Sequence, residues 1–131
     1  MRIAVDDAFA MSEAAAGTRW GSLRVARERA LTMAALPRER FRRVFEPGCG
    51  NGELTVLLAQ RSDAVVAWDG VDRATLTCRA AIDAAPGAGR VDVRAAAVPA
   101  DWPEGTFDLI VLGEIGYFIE PDAWAAVAQA G

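Results

Sequence analysis

One short segment narrows the fold more than any other. Arg43-Val44-Phe45-Glu46 runs into Pro47-Gly48-Cys49-Gly50-Asn51-Gly52, and a helical apolar stripe (Leu54, Leu57, Leu58) follows within Glu53 to Gln60. An apolar-centred run that stops at Pro-Gly reads as a strand ending in a tight turn. Three glycines at alternate positions permit positive φ and keep side chains away from the place where backbone meets a ligand.

The same alternation continues along the chain. Before the loop, a helix is expected from Ser22, which can cap it, to Pro37, which ends it; Leu23, Ala26, Ala30, Leu31, Ala34 and Ala35 form its apolar stripe. Its arginines Arg24, Arg27 and Arg29 read as a solvated face, with a role near an acidic ligand as the alternative. After the loop, Ala64-Val65-Val66-Ala67-Trp68 is a continuous apolar run, the pattern of a strand buried on both faces. A helix is expected from Asp72 to Ala84, stopped by Pro86-Gly87. Val91-Asp92-Val93 begins a third strand, Phe107 to Leu112 is the strongest strand pattern, and a last helix starts near Pro121-Asp122. Strands alternating with helices imply βαβ units, hence an α/β fold with a Rossmann-like, doubly wound and mostly parallel sheet. Residues 1–18 are Ala-rich and weakly patterned and are expected to be a flexible arm, with 19–131 forming the folded domain.

Composition removes several chemistries. The chain has 131 residues, a net charge of -4 and no histidine. A basic face for nucleic acid is not indicated, so no nucleic-acid partner is expected. His-based zinc sites and Ser-His-Asp or Cys-His machinery are excluded. Cys49 and Cys78 match no zinc spacing and no disulfide framework; Cys49 reads as a small loop residue and Cys78, like Trp124, as a core-facing helix position. No stretch approaches the roughly 18 apolar residues of a membrane span, and Asp6, Asp7 and Glu13 break up any signal-like start. A reduced cytoplasmic setting, without membrane association, is expected.

In a doubly wound sheet, ligands sit beyond the carboxyl ends of the strands, beside the first strand. The loop is therefore in the right place. Asp69 ends the second strand, nineteen residues after Gly50, where a carboxylate can accept hydrogen bonds from ribose hydroxyls. Two cofactor classes use this layout. A dinucleotide fingerprint, G-x-G-x-x-G, would place its third glycine at position 53, which is Glu53, a carboxylate where a diphosphate should dock. S-adenosylmethionine has no phosphate, carries a sulfonium and an ammonium, and tolerates acidic neighbours such as Glu46. The plainer alternative is that the glycines serve only a strand-to-helix turn.

Glu46-Pro47-Gly48-Cys49-Gly50-x-Gly52, the acid at Asp69, and Phe107-Asp108-Leu109-Ile110-Val111 together resemble the class I S-adenosylmethionine-dependent methyltransferases. Trp20-Gly21, Glu28-Arg29-Ala30-Leu31, Asp101-Trp102-Pro103 and Leu112-Gly113-Glu114-Ile115-Gly116-Tyr117-Phe118 look similar to the NodS-type (nodulation protein S) N-methyltransferase subfamily. The resemblance implies a cofactor site made by Glu46, Gly48, Gly50, Gly52, Asp69, Gly70, Ala97 and Val98, with Gly70 and Val71 flanking the adenine. The loop that usually offers a polar adenine contact is apolar here, with Asp101 as a substitute.

Glu114 and Tyr117 would face a small-molecule amine or amino-sugar acceptor: Glu114 as the acid that holds and deprotonates it, Tyr117 as a wall. A solvent-facing strand-end acid is the alternative for Glu114. Trp68 and Trp102 read as packing residues, with an adenine-covering role open for Trp102, and Trp20 is a candidate to reach the site.

The resemblance also implies three more strands than the chain provides. The sheet is accordingly expected to stop after its fourth strand, with a second copy or a further segment covering that edge. A cofactor-binding module without catalysis, and a nucleotide-linked oxidoreductase, stay open as other functions.

Overall fold

The computed structural model describes residues 19–85, 87, 90–98 and 100–112. The expected arm, the expected last helix with Trp124, and both Glu114 and Tyr117 lie outside the described residues. Within them the order is α1 (Arg19–Ala35), β1 (Phe41–Pro47), α2 (Glu53–Gln60), β2 (Ser62–Asp69), α3 (Asp72–Ala84), β3 (Arg90–Ala95) and β4 (Leu109–Ile110). The four strands form one sheet in the order β3-β2-β1-β4. Every pairing is parallel: Phe45 lies opposite Val66 on one side and Ile110 on the other, and Val66 opposite Asp92. This is an α/β fold whose strand order reverses beside β1, the crevice where parallel sheets take ligands.

The alternation of side chains along the strands builds two cores. Val44, Val65, Ala67 and Val93 join Leu58 and Ala59 of α2, Cys78 of α3 and the partly buried Met33 and Leu36 in one cluster. Phe45, Val66, Trp68 and Val98 form the other, with Trp102, Phe107 and Ile110 packed against it. Phe45 is its centre, edge-on to Trp68 at 5.4 Å and to Trp102 at 5.3 Å between ring centroids. Trp68 and Trp102 therefore do pack.

Two expectations need correction. The first helix starts at Arg19, so Ser22 lies inside it and not at its start. Its expected stripe also faces outward, with Leu23 54% and Leu31 64% exposed. The half-buried positions are Val25, Arg29, Thr32, Met33 and Leu36, a face rotated away from the alanines. Met33 and Leu36 pack against the core, while Leu23 and Leu31 stay outside it. Arg61 fixes the end of this helix by donating to the carbonyls of Met33 (2.9 Å), Glu39 (2.8 Å) and Arg38, a cation at a helix C-terminus.

The second correction is β4, which is shorter than its apolar run. Before Leu109, the amides of Arg42 and Arg43 donate to the Asp108 carboxylate, both at 2.8 Å, so a side chain replaces the ladder there. Edge strand β3 buries only Val93 and alternates Arg90, Asp92 and Arg94, charges that discourage pairing with another edge. No helix among the described residues is long and apolar enough to cross a membrane.

Candidate cofactor site

The site is assembled by the carboxyl ends of β1 and β2. Both Gly48 (2.6 Å) and Cys49 (2.9 Å) donate their amides to the carbonyl of Trp68, which folds the loop after β1 across the end of β2. Asp69, the next residue, then holds the loop from beneath. Its two carboxylate oxygens accept from the Gly50 amide and the Val71 amide, each at 2.9 Å. One carboxylate thus ties the glycine loop to the start of α3. Asp69 is 9% exposed, and each of its oxygens keeps a second lone pair for a ligand hydroxyl.

The three glycines do different work. Gly48 (φ +81°) is exposed and Gly50 (φ +54°) half-buried, in the left-handed region that favours glycine. Gly52 (φ +85°) is buried, and a Cβ there would lie 2.8 Å from Cα of Cys78. A glycine is required here because the loop presses on α3. Cys49 and Cys78 are free and buried beside it. The Cys49 thiol is pushed up by the hydrogen bond it shares with Cys78 and then by burial, so it stays a thiol.

Glu46 lies behind the loop, 3% exposed. The Thr55 hydroxyl donates to its Oε1 at 2.5 Å. Burial pushes its carboxyl up to about 8; the Thr55 hydrogen bond and the Arg29 charge pull the other way and are outweighed. Without a cation beside it, Glu46 is mostly neutral at pH 7.

At the third strand's end, the Ala96 amide donates to the Asp69 carbonyl at 3.0 Å. A Cβ on Gly70 would lie 3.4 Å from that of Ala97. Gly70 and Ala97 therefore adjoin Asp69, while the buried Val98 packs with Phe45, Val66 and Trp68. The Asp101 carboxylate accepts from the Ala97 amide at 3.3 Å and orders this loop.

Three participants escaped the sequence reading. Thr55 is a polar residue on the buried face of an otherwise apolar helix, a signal that was there to be used. The Trp68 carbonyl, as backbone, has no sequence signal. Arg29, expected in solvent, instead pairs with Glu53 at the first turn of α2, its side chain 19% exposed.

Because Arg29 pairs with Glu53, repulsion from that carboxylate is not the main obstacle to a diphosphate. The amides are. Those of Gly48, Cys49, Gly50, Gly52 and Glu53 all donate within the protein, the last to the Asn51 side chain at 3.3 Å. A pyrophosphate nest needs such amides free. Two buried acids, Glu46 at the end of β1 and Asp69 at the end of β2, stand beside the loop.

Residues 44–131 match the family model for the methyltransferase domain. The chain belongs to that family. Among solved structures, this methyltransferase domain is similar to a protein from Pseudomonas syringae assigned as a methyltransferase: 40% identity, 85% of this chain and 66% of that one, TM-score 0.67. It also shares its fold with the N-methyltransferase NodS of Bradyrhizobium japonicum WM9, solved with S-adenosyl-L-homocysteine: 17% identity, 93% of this chain and 65% of that one, TM-score 0.68. A curated relative is the tRNA1(Val) (adenine(37)-N6)-methyltransferase of Cronobacter sakazakii, 36% identical over 78 residues, which cover 57% of this chain and 32% of that protein. The methyltransferase domain therefore spans less than two thirds of each of these relatives.

Proposed function

We propose that this methyltransferase domain binds S-adenosylmethionine between the Glu46–Gly52 loop and Asp69 and serves N-methylation of a small amine or amino-sugar. The observation that carries the reading is that the loop's amides are spent within the protein, that of Gly50 on the Asp69 carboxylate. Such a site rejects phosphate and accepts a sulfonium with an ammonium. Asp69 would take the ribose hydroxyls, Gly48 and Gly50 would admit the ligand by their lack of side chains, and Glu46 would ionise against the ammonium. Gly70, Ala97 and Val98 would border the adenine.

When bound, the cofactor supplies a methyl group activated by positive sulfur. The chain's own part is alignment and proton handling. Glu114 would hold the acceptor ammonium and accept its proton, and Tyr117 would wall the acceptor site. The resemblance of Leu112 to Phe118 to the NodS-type subfamily supports an amine acceptor. The two buried thiols suit the reducing cytoplasm expected from the sequence.

Titration calorimetry with S-adenosylhomocysteine tests the cofactor reading. The wild type should bind it and ignore NADH, and Asp69→Ala should weaken binding by at least about 100-fold, since hydrogen bonds to a charged group and the loop's anchor go together. Binding of NADH in place of S-adenosylhomocysteine would overturn it. For the acceptor, a methylation screen should find amine-bearing sugars or small amines, with Glu114→Gln lowering kcat by roughly 100-fold or more.

A second acceptor reading comes from the Cronobacter relative, whose name specifies an adenine N6 in a tRNA. Methyl transfer to RNA but to none of the small amines would favour it. The net charge of -4 weighs against it. Cofactor binding without turnover on any acceptor, unchanged by Glu114→Gln, would mark a non-catalytic module.

A further inference from the structure

One of the two buried acids beside the loop is held from behind. Thr55 is fully buried on α2, and its hydroxyl donates to Glu46 Oε1 at 2.5 Å. The same hydroxyl oxygen accepts from the Cys78 thiol of α3, with sulfur and oxygen 3.7 Å apart. Cys78 in turn shares a hydrogen bond with Cys49 of the glycine loop. A line of hydrogen bonds thus runs from the loop through α3 and α2 to the end of β1.

We infer that Thr55 is a positioning residue of the cofactor site: its hydroxyl holds Glu46 Oε1 and leaves Oε2 for the ligand's ammonium. The assignment rests on the cofactor reading above. A hydroxyl has one proton to give. With the Cys78 thiol donating to its oxygen, that proton is committed to Glu46, and the two carboxylate oxygens cease to be equivalent. Among the described residues no other donor reaches this carboxylate, so Oε2 is the oxygen left for a cation.

Packing alone explains the hydroxyl poorly. Thr55 shares the buried face of α2 with Leu58 and Ala59, where an apolar side chain would leave no polar group to satisfy. The hydroxyl serves the acid instead, since a hydrogen bond to the charged form favours that form. Burial pushes the Glu46 carboxyl up to about 8. Against it the Thr55 hydrogen bond pulls down most strongly, helped by Arg29 of α1, while Cys78 of α3 and Asp69 of β2 push up. Thr55 thereby brings ionisation of Glu46 within reach of a bound ammonium.

The test separates hydroxyl from shape. S-adenosylhomocysteine and its deaminated analogue are titrated calorimetrically into full-length wild type, Thr55→Val, Thr55→Ala and Thr55→Ser, between about pH 6 and pH 9. Thr55→Val and Thr55→Ala should weaken S-adenosylhomocysteine by about 10-fold or more near neutral pH, the range of a hydrogen bond to a charged group. Both should leave the analogue, which has no ammonium, within roughly twofold of wild type. Thr55→Ser keeps the hydroxyl and should bind S-adenosylhomocysteine within about threefold of wild type. Wild-type affinity should rise with pH and level off near 8, where the empty site has released the Glu46 proton. In Thr55→Val it should level off at a higher pH, because the hydrogen bond that favours the ionised acid is gone.

Equal losses for both ligands would overturn the assignment, because a merely structural threonine does not sense the ammonium. So would a loss in Thr55→Ser matching that in Thr55→Val, or pH profiles of the same shape in wild type and Thr55→Val. A wild type that binds neither ligand overturns the cofactor reading and the assignment together; a wild type that binds while Thr55→Val and Thr55→Ala bind equally well overturns the assignment alone.

Discussion

Glu46 and Asp108 flank opposite ends of β1, and the protein treats the two carboxyls in opposite ways. Glu46, at the carboxyl end, is buried with the Thr55 hydroxyl as its donor, and burial pushes it up to about 8. At the amino end, burial also works upward on Asp108, but the amides of Arg42 and Arg43 prevail, with Arg38 adding to them, and hold the carboxyl below its usual range. The glycines repeat the contrast. Gly52 (φ +85°) presses on the backbone of Cys78, whereas Gly105 (φ +92°) faces the movable guanidinium of Arg43. One end carries a fixed charge that starts a strand pairing. The other buries an acid whose carboxyl is pushed up, an arrangement that costs stability and accords with the proposed binding role.

Gly52→Ala should break the carboxyl end most severely. A Cβ there meets backbone that cannot step aside and sits at a φ that L-residues avoid, so a loss of about 2–4 kcal/mol is expected, read from urea unfolding. A loss below about 1 kcal/mol would mean that the loop is not pressed on α3.

Glu46→Gln sharpens the contrast through pH. In the fold Glu46 keeps its proton up to about 8, while the unfolded chain releases it near 4.5. Between those values the folded state holds more protons, so Glu46 makes stability fall as pH rises, by at most about 1.4 kcal/mol per unit. Glutamine, shaped like the neutral acid, should remove that slope and leave the variant more stable than wild type near pH 8. Parallel stability curves for the two proteins would show that the buried acid is not Glu46.

The same contrast explains what could be read in advance. Helices at Glu53–Gln60 and Asp72–Ala84 were legible to the residue, because an apolar stripe after Gly52 marks the first and Pro86-Gly87 stops the second. Asp69 was legible because its position follows from strand length and loop spacing. The inward face of α1 was not: Leu23 and Leu31 lie on the expected stripe, yet Met33 and Leu36 make the core contacts, a choice set by tertiary packing. Nor was Arg29. An arginine's partner twenty-four residues away depends on how two helices meet, which no local pattern carries. Glu53 was correctly noticed, yet its charge mattered less than the loop amides, whose partners only the folded backbone reveals.

The smallest effects belong to the amino end, and they decide whether its tolerance is real. Asp108→Ala removes the acceptor of two amides, but Arg42 and Asp108 stand in solvent, where water can replace it. A loss of about 1–2 kcal/mol is expected. Because the folded state lowers this carboxyl, its contribution is present above the ordinary aspartate range and disappears as pH falls, the reverse of Glu46. Gly105→Ala should cost about 1–2 kcal/mol, the penalty of its φ plus displacement of the Arg43 guanidinium from the carbonyls of Glu104 and Thr106. The informative quantity is the difference between Gly52→Ala and Gly105→Ala in the same unfolding assay. The two backbone angles nearly match, so any excess at Gly52 measures how tightly the loop is held against α3. If the two losses were equal, positive φ alone would explain both glycines, and the carboxyl end of β1 would have no tighter packing than its exposed counterpart.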